Sequence, residues 1–437
     1  MIKMIFKQLW NQRKMNLWIF LEMLAVCFFL WLVLDPVYVL LTNRMTDRGY
    51  ESHRRYVVDL GSYFKGHLKY DKTQTEETTT EAFLRIARMV RDCPEVENYS
   101  ISGSNAFPNA KGHYSNEFAT DTTQVARENA IAAQWFYNYA GEGSQFFRTY
   151  GMKDARNGKD IDVPADIAER PLCYISAHLA RQLFGTVEVV GKKVYDGRTQ
   201  LEVAGVFEDY KHCDYEQPNV LLLRFSKSLF DFGFDFGGIS RTIVFSLKEH
   251  VDTDAFEKRF VEEIAPQLEQ GNFYFKGLRT FQEVADERAH MDKRDVKLYT
   301  QFALTGFTLL CIFLGTLGTF WVRCDERKQE IGVMRSMGAT RGAIYRQFFI
   351  EAGLLVTLAA LCILPVLLHY VYESGMYQAG GLNPQSALVV WGLEPIPHFC
   401  MVYLLTYLIL LFVALIGTCL PVSRALKVHP VEALRDE

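Results

Sequence analysis

The 437-residue chain carries 47 Lys and Arg against 51 Asp and Glu, a formal net charge of −4, which argues against a nucleic-acid binder. Its mean hydropathy of −0.01 averages two populations, four long apolar runs and a polar middle. The nine cysteines stand at 27, 93, 173, 213, 311, 324, 362, 400 and 419 and form no C-x-x-C, so there is no zinc or redox signature. Only Cys93, Cys173 and Cys213 fall in the polar middle, an odd number that implies no disulfide framework and leaves open whether two of them pair.

Residues 1–16 interleave Lys3, Lys7, Arg13 and Lys14 with Ile2, Ile5, Phe6, Leu9 and Trp10, a basic amphipathic segment suited to a membrane surface. The apolar run over 17–34 resembles a signal peptide's hydrophobic middle but is longer, and Asp35-Pro36-Val37-Tyr38 offers no small-residue cleavage site. It reads as an uncleaved first span, 17–41, with the N-terminus inside. Glu22 within it is expected to face a partner helix or lie near the interface, rather than to relay protons.

Residues 45–295 read as an extracytoplasmic α+β domain. Strands are expected over 55–60 and 96–101, with a helix over 80–91 between them and a Gly/Asn/Ser-rich passage over 102–115 after them. Next come a strand over 171–175 and a helix capped by Ser176, running through Phe184 and ended by Gly185. Strands over 192–195 and 200–206 flank the hairpin signal Asp196-Gly197. Strands over 219–225 and 242–247, a helix over 252–270 ended by Gly271, and a strand over 272–276 complete the set. The order predicts two lobes, a membrane-proximal one from 45–105 and 217–277 and a distal one from 106–216. From Thr280 the pattern predicts one unbroken helix through Arg323, a stalk that becomes the second span over 278–323. Such a helix would be on the order of 66 Å long at 1.5 Å per residue.

The third span covers 350–371, with Pro365 able to kink it. Residues 372–398 hold no Lys or Arg and read as a short external loop, 399–421 as the fourth span and 422–437 as a cytoplasmic tail. The fold class is therefore an α-helical membrane protein with four transmembrane helices and a large two-lobed α+β domain between the first and second. Each apolar run is long enough to cross a hydrocarbon core of about 30 Å.

Between the second and third spans, residues 324–349 are dense in positive charge. Arg327, Lys328, Arg335, Arg341 and Arg346, with Arg323 just before, mark this side as cytoplasmic. Residues 329–337 read as a short helix with Ile331, Met334 and Met337 near one side, ended by Gly338. A second helical segment over 341–350 runs into the third span. Such a short helix is either a docking surface or an interfacial helix lying on lipid, and the pattern alone leaves both open.

The string ERKQEIGVMRSMGATRGAIYRQFFIEAG resembles the signature loop of MacB/FtsX-type (type VII) ABC transporter permeases. Glu330, Ile331, Gly332, Gly338, Ala339, Glu351 and Ala352 match; Gln329 replaces the usual Arg, and Ser336-Met337 the usual Ala-Leu. The tail resembles the family's closing PxxRAxxxxPxEALRxE at Pro421, Arg424, Ala425, Pro430, Glu432, Ala433, Leu434, Arg435 and Glu437. In the polar middle, YISAHLARQLFGTVEVVGKKVYDGRTQLEVAGVFEDY is similar to a MacB-like core at Leu183, Phe184, Gly185, Gly191, Lys192, Gly205, Val206 and Asp209, with Val189 in place of the usual proline. SQFFRTYGMK resembles another segment of that core. The simplest reading of these domain residues is structural, with glycines as turn formers and Lys192 as a solvated charge.

The resemblance implies that the loop is a coupling helix seated in a groove of an ATPase subunit, with Glu330, Ile331, Gly332, Met334, Arg335, Met337, Gly338 and Ala339 as its coupling residues. It also implies an inner-membrane location and a second permease as dimer partner, identical or related. The expected mechanism is mechanical transmission to work outside the membrane. That work would be efflux of small molecules or peptides through an adaptor and an outer-membrane channel, or release of lipoproteins. FtsX-like regulators of a cell-wall hydrolase share the four-span plan but usually have smaller outer domains, and a receptor without an ATPase would leave the loop unconstrained.

The chain is not expected to be an enzyme. No Walker A is present: the nearest string, GTVEVVGKK over 185–193, has one spacer too many and no Ser or Thr after the lysine. No H-E-x-x-H, G-x-S-x-G or EF-hand loop occurs. No cofactor or metal is therefore expected on this chain. ATP-Mg is expected in the partner subunit, and a first span starting at Leu17 leads us to expect no fused ATPase. With Glu22 and Glu351 as the intramembrane charges noted, the spans read as poor material for a conduit.

Overall fold

The computed structural model describes residues 13–111, 114–121, 130–196, 199–213, 218, 221–229, 241–373 and 395–426. The expectations for residues 1–12, the 374–394 part of the external loop, Gly197 and the 427–437 tail lie outside them. Two compact units are present, a domain over Asn43–Arg294 and a helical unit from the chain before and after it.

The chain begins with helix α1 (Arg13–Met45). The domain then runs β1 (Arg55–Ser62), α2 (Glu76–Arg91), β2 (Val96–Gly103), β3 (Tyr114–Phe118), β4 (Ile131–Tyr139), α3 (Phe146–Tyr150), β5 (Leu172–Ser176), α4 (Ala177–Phe184), β6 (Lys193–Tyr195), β7 (Gln200–Phe207), β8 (Leu221–Ser226), β9 (Arg241–Leu247), α5 (Thr253–Arg259), β10 (Phe273–Thr280) and α6 (Phe281–Met291). Its strands form a single ten-stranded sheet, β10-β1-β9-β2-β4-β8-β5-β7-β6, with β3 paired to β4.

Local chemistry explains most of these boundaries. Thr75 caps α2 in a reciprocal box with Thr78, so the helix starts earlier than its apolar stripe suggested. That stripe, Phe83, Ile86, Ala87 and Val90, packs with Tyr56, Ile101 and Phe245. Ser176 accepts from the Leu179 N–H and Gly185 ends α4 in a left-handed conformation, as the sequence predicts. The helix expected over 252–270 is instead α5, capped by Asp252, followed by a π turn over Phe260–Ile264 and a 3-10 turn over Ala265–Leu268 that contains Pro266.

The two expected lobes are halves of one sheet, and their boundary is shifted. β1, β2, β9 and β10 pair as one half. Strand β8, grouped by sequence with that half, lies instead between β4 and β5 in the other. The sequence reading also missed β3 and β4. Among the described residues, the ladders of the halves meet at one pair, Ser102–Asn138. In the second half Ala119 and Tyr195 exchange two backbone hydrogen bonds, 3.0 and 2.8 Å, so the strands curl until the end of β3 meets β6.

An aromatic core crosses the seam, joining Val57 and Val244 of one half to Phe136, Tyr174, Phe207 and Phe225 of the other. The SQFFRTYGMK segment supplies its centre. Phe146, Phe147 and Tyr150 of α3 are buried there, and Gly151 (φ +69°) lets the chain turn beneath Glu51. Each such ring contributes about 1.5–3 kcal/mol by burial. Close approach also fixes Gly49 (φ +69°), where a Cβ would lie 1.9 Å from the Asp209 carbonyl oxygen. The buried Lys211 donates to the carbonyls of Asn43 and Thr46.

The expected unbroken helix from Thr280 to Arg323 is not present. Thr280 and Glu283 form a capping box for α6, Asp292 ends it, and Lys293 takes a left-handed φ of +51° before α7 (Arg294–Glu326) begins. The break falls in a charged run, Asp292-Lys293-Arg294-Asp295, with no apolar stripe to hold a helix together.

The helical unit continues with α8 (Lys328–Ser336), α9 (Arg341–Glu373) and α10 (Pro395–Ala425). Helices α1, α7, α9 and α10 are long and apolar enough to cross a membrane. Cys27 and Trp31 of α1 pack with Ala352, Val356 and Ala359 of α9 and with Val402, Leu410 and Ala414 of α10. Glu22 faces a partner helix, accepting from the Thr319 hydroxyl at 2.8 Å. Asp35, overlooked in the sequence as an intramembrane charge, is buried and lies 2.9 Å from His398.

Cys93, Cys173 and Cys213 are buried, and Cys93 and Cys173 carry free thiols. Burial pushes the Cys93 thiol up to about 11 and that of Cys173 up to about 12. At pH 8 these thiols should resist maleimide in the folded protein and react after denaturation, as read by mass spectrometry; rapid native labelling of Cys173 would contradict this packing.

Candidate functional site: the hairpin between the second and third membrane helices

The α7–α8–α9 connection is short, and its chemistry is divided between two faces. Helix α8 ends at Ser336, with Met337 as its C-cap. Gly338, at φ +88°, then lets the chain reverse, its N–H donating to the Arg335 carbonyl and that of Ala339 to the Met334 carbonyl, both at 3.0 Å. The Thr340 hydroxyl accepts from the Ala343 N–H and starts α9. The expected pair of helices joined at Gly338 is thus present.

One face of α8 is inward. Ile331 is buried with Ile344 and Phe348 of α9, Val422 and Ala425 of α10, Leu426 and Cys324, and Met334, Ala339 and Tyr345 pack against them. Gly332 is buried as well. Arg335 is half-buried and donates to the Leu426 carbonyl at 2.9 Å.

The other face is outward. Gln329, Val333, Ser336, Met337, Gly338 and Thr340 are exposed, Met337 at 75%. The expected side formed by Ile331, Met334 and Met337 therefore splits. Ile331 points in at 2% exposure, Met334 lies at the border and Met337, past the last helical turn, points out.

At the start of α8 stands a buried charge cluster. Arg327 is 4% exposed and holds Glu330 through two hydrogen bonds, Nε at 2.6 Å and Nη2 at 2.8 Å. Its Nη1 donates to Glu351 of α9 at 2.6 Å, and the guanidinium carbon lies 4.7 Å from the centroid of the Phe348 ring. Glu351 is itself 2% exposed. Burial opposes the Arg327 charge, but the two carboxylates outweigh it and hold its pKa above the ordinary guanidinium value. Removing one partner of such a pair leaves a bare buried charge, which costs about 3–5 kcal/mol. The coupling residues named from sequence included Glu330 but not Arg327. The available signal was Glu351, a carboxylate within an apolar run that requires a counter-charge.

The domain residues singled out by sequence have structural surroundings. Gly185 and Gly191 take left-handed conformations, and Gly205 lies against the Tyr174 ring. Lys192 is exposed over the Phe184 ring, and Asp209 pairs with Arg181 at 2.9 Å. Among the described residues no group of three or more His, Cys, Asp or Glu side chains is placed to hold a metal ion.

Two family models match the chain. A MacB-like periplasmic core domain covers residues 42–263, half of its length, and an FtsX-like permease C-terminal domain covers 302–430. The chain is 25% identical to an uncharacterized ABC transporter permease, YknZ of Bacillus subtilis, over 73% of this chain and 74% of that one. It is 23% identical to a macrolide export ATP-binding/permease protein, MacB of Neisseria meningitidis, over 51% of this chain and 33% of that protein, so it spans about a third of the MacB length. Among solved structures, the periplasmic region of MacB from Actinobacillus actinomycetemcomitans aligns with 56% of this chain and 97% of its own, at 12% identity and a TM-score of 0.34.

The two faces of α8 should respond differently to charge. Ile331→Asp places a carboxylate in the apolar cluster and should lower the melting temperature of the detergent-solubilised chain by several degrees, about 2–5 kcal/mol. Met337→Asp should leave it within about 0.5 kcal/mol of the parent. Equal effects in a thermal melt would contradict the division.

Proposed function

Because the chain belongs to the MacB/FtsX-type family of ABC transporter permeases, we propose that it is the permease subunit of an ABC system whose ATPase subunits dock on the outward face of α8. One observation carries this reading: α8 is fixed by its inner face and leaves a narrow outer face of Gln329, Val333, Ser336, Met337 and Thr340 uncovered. A helix lying on lipid needs a broad apolar outer face flanked by basic residues. This face is mixed, with two apolar side chains among small polar ones, and suits a protein groove better. The basic residues around it support a reading in which the hairpin and both termini face the cytoplasm of an inner-membrane protein and the α+β domain lies outside.

ATP-Mg binds in the partner ATPase, since this sequence contains no Walker A motif. Work reaches the outer domain mechanically rather than through a pore. Among the described residues, the acidic side chains Glu22, Asp35 and Glu351 are each held locally, by Thr319, His398 and Arg327, an arrangement that supports no continuous polar path. A second permease completes the dimer. By analogy with the MacB relatives the work is efflux of small molecules or peptides, with an adaptor and an outer-membrane channel beyond the domain.

The test is affinity capture from the native membrane under ATP-trapping conditions, beside a Val333→Asp/Met337→Asp variant. A Walker A-containing ATPase should accompany the parent and fall at least about tenfold with the variant. An adaptor in the capture supports efflux, and a lipoprotein in its place redirects the reading to lipoprotein release. Absence of an ATPase from the parent overturns the transporter reading.

A further inference from the structure

We propose that Arg327 is a positioning residue that makes α8 and the first turns of α9 move as one rigid body, so that force applied to α8 is delivered to the third membrane helix. The inference rests on the docking reading above and specifies how that site transmits force.

The lengths of the two arms carry the first part. The nine residues of α8 rise about 14 Å, and the stretch from Arg341 to Glu351 about 15 Å. The hairpin folds back at Gly338, so Glu351 comes level with the start of α8, where Arg327 waits. Helix α8 is therefore tied to α9 at both ends, by the 337–340 turn at one and by the Arg327–Glu351 bond at the other.

The two ties differ in stiffness. The turn passes through Gly338, around which an added Cβ would meet no atom within 4 Å. The intervening Ile331, Ile344 and Phe348 contacts are apolar and non-directional, and resist sliding weakly. The Arg327 bonds are short, charge-assisted and directional, and the fork to Glu330 fixes the guanidinium plane to α8 itself. Without them α8 keeps only non-directional apolar contacts with α9, because the Arg335 bond ties it to Leu426 at the end of α10 instead, and it can shift against α9. Arg327 lies on the inner face, so its role is separable from docking.

The test uses the full chain captured with its ATPase in nanodiscs and compares the parent with Arg327→Lys and Arg327→Met/Glu351→Leu. The apolar pair removes both charges together, so the fold should persist, checked by its melting temperature. The readout is backbone hydrogen exchange at residues 344–352 before and after trapping with ATP and vanadate. The parent should show a change of about tenfold and the Met/Leu variant less than about twofold, with equal ATPase captured. Lysine keeps the charge without the fork and should fall between them. A full-sized change in the Met/Leu variant overturns the role of Arg327 alone. A parent that captures no ATPase overturns the docking reading, and this inference with it.

Discussion

A carboxylate cannot be left bare among apolar helices, and the hairpin between α7 and α9 is organised around that constraint. Glu351 is buried one turn into the apolar run of α9, next to Ala352 and Leu355. Arg327, 24 residues earlier, neutralises it, and its other bonds reach Glu330. Satisfying the buried charge therefore fixes where α8 lies, which side of it faces inward and which side remains exposed. The inner apolar cluster and the Arg335 bond to the Leu426 carbonyl then hold α8 against the end of α10.

The domain is built on a different principle, continuity of one sheet through a narrow waist. Ladders β1–β10 and β2–β9 make one half, and β4–β8 and β5–β7 the other. Among the described residues their ladders pair at Ser102–Asn138. The aromatic core over the waist supplies the cohesion that the backbone ladder lacks there, and α3 contributes three of its rings. The break at Lys293 matters for the same reason. Helices α6 and α7 are separate elements, not one continuous helix.

What was legible in the sequence followed from local rules. Gly185 and Gly338 ended helices, Ser176 started one, and the four apolar runs became four membrane-length helices because each rule needs only neighbouring residues. Three kinds of feature escaped. Strand β4 carries apolar residues on both faces and Gln134 within, so alternation did not mark it. The place of β8 depends on parallel pairing with β4, over 80 residues away in the chain, which no local pattern reports. At the candidate site, Ile331, Met334 and Met337 looked equivalent because helical spacing alone ignores where the helix ends. Met337 sits on the cap, where the chain turns outward. Arg327 was read as one of several basic residues until the buried position of Glu351 distinguished it.

The central claim is that α8 presents Val333, Ser336 and Met337 to an ATPase while turning Ile331 away. Photo-crosslinking amino acids placed singly at 331, 333, 336 and 337 in the native membrane test it most directly. The account predicts ultraviolet-dependent adducts from 333, 336 and 337 to one Walker A-containing protein, and at 331 only crosslinks within the chain. Adducts to lipid alone from the outward positions, or equal capture of the ATPase from 331, would contradict it.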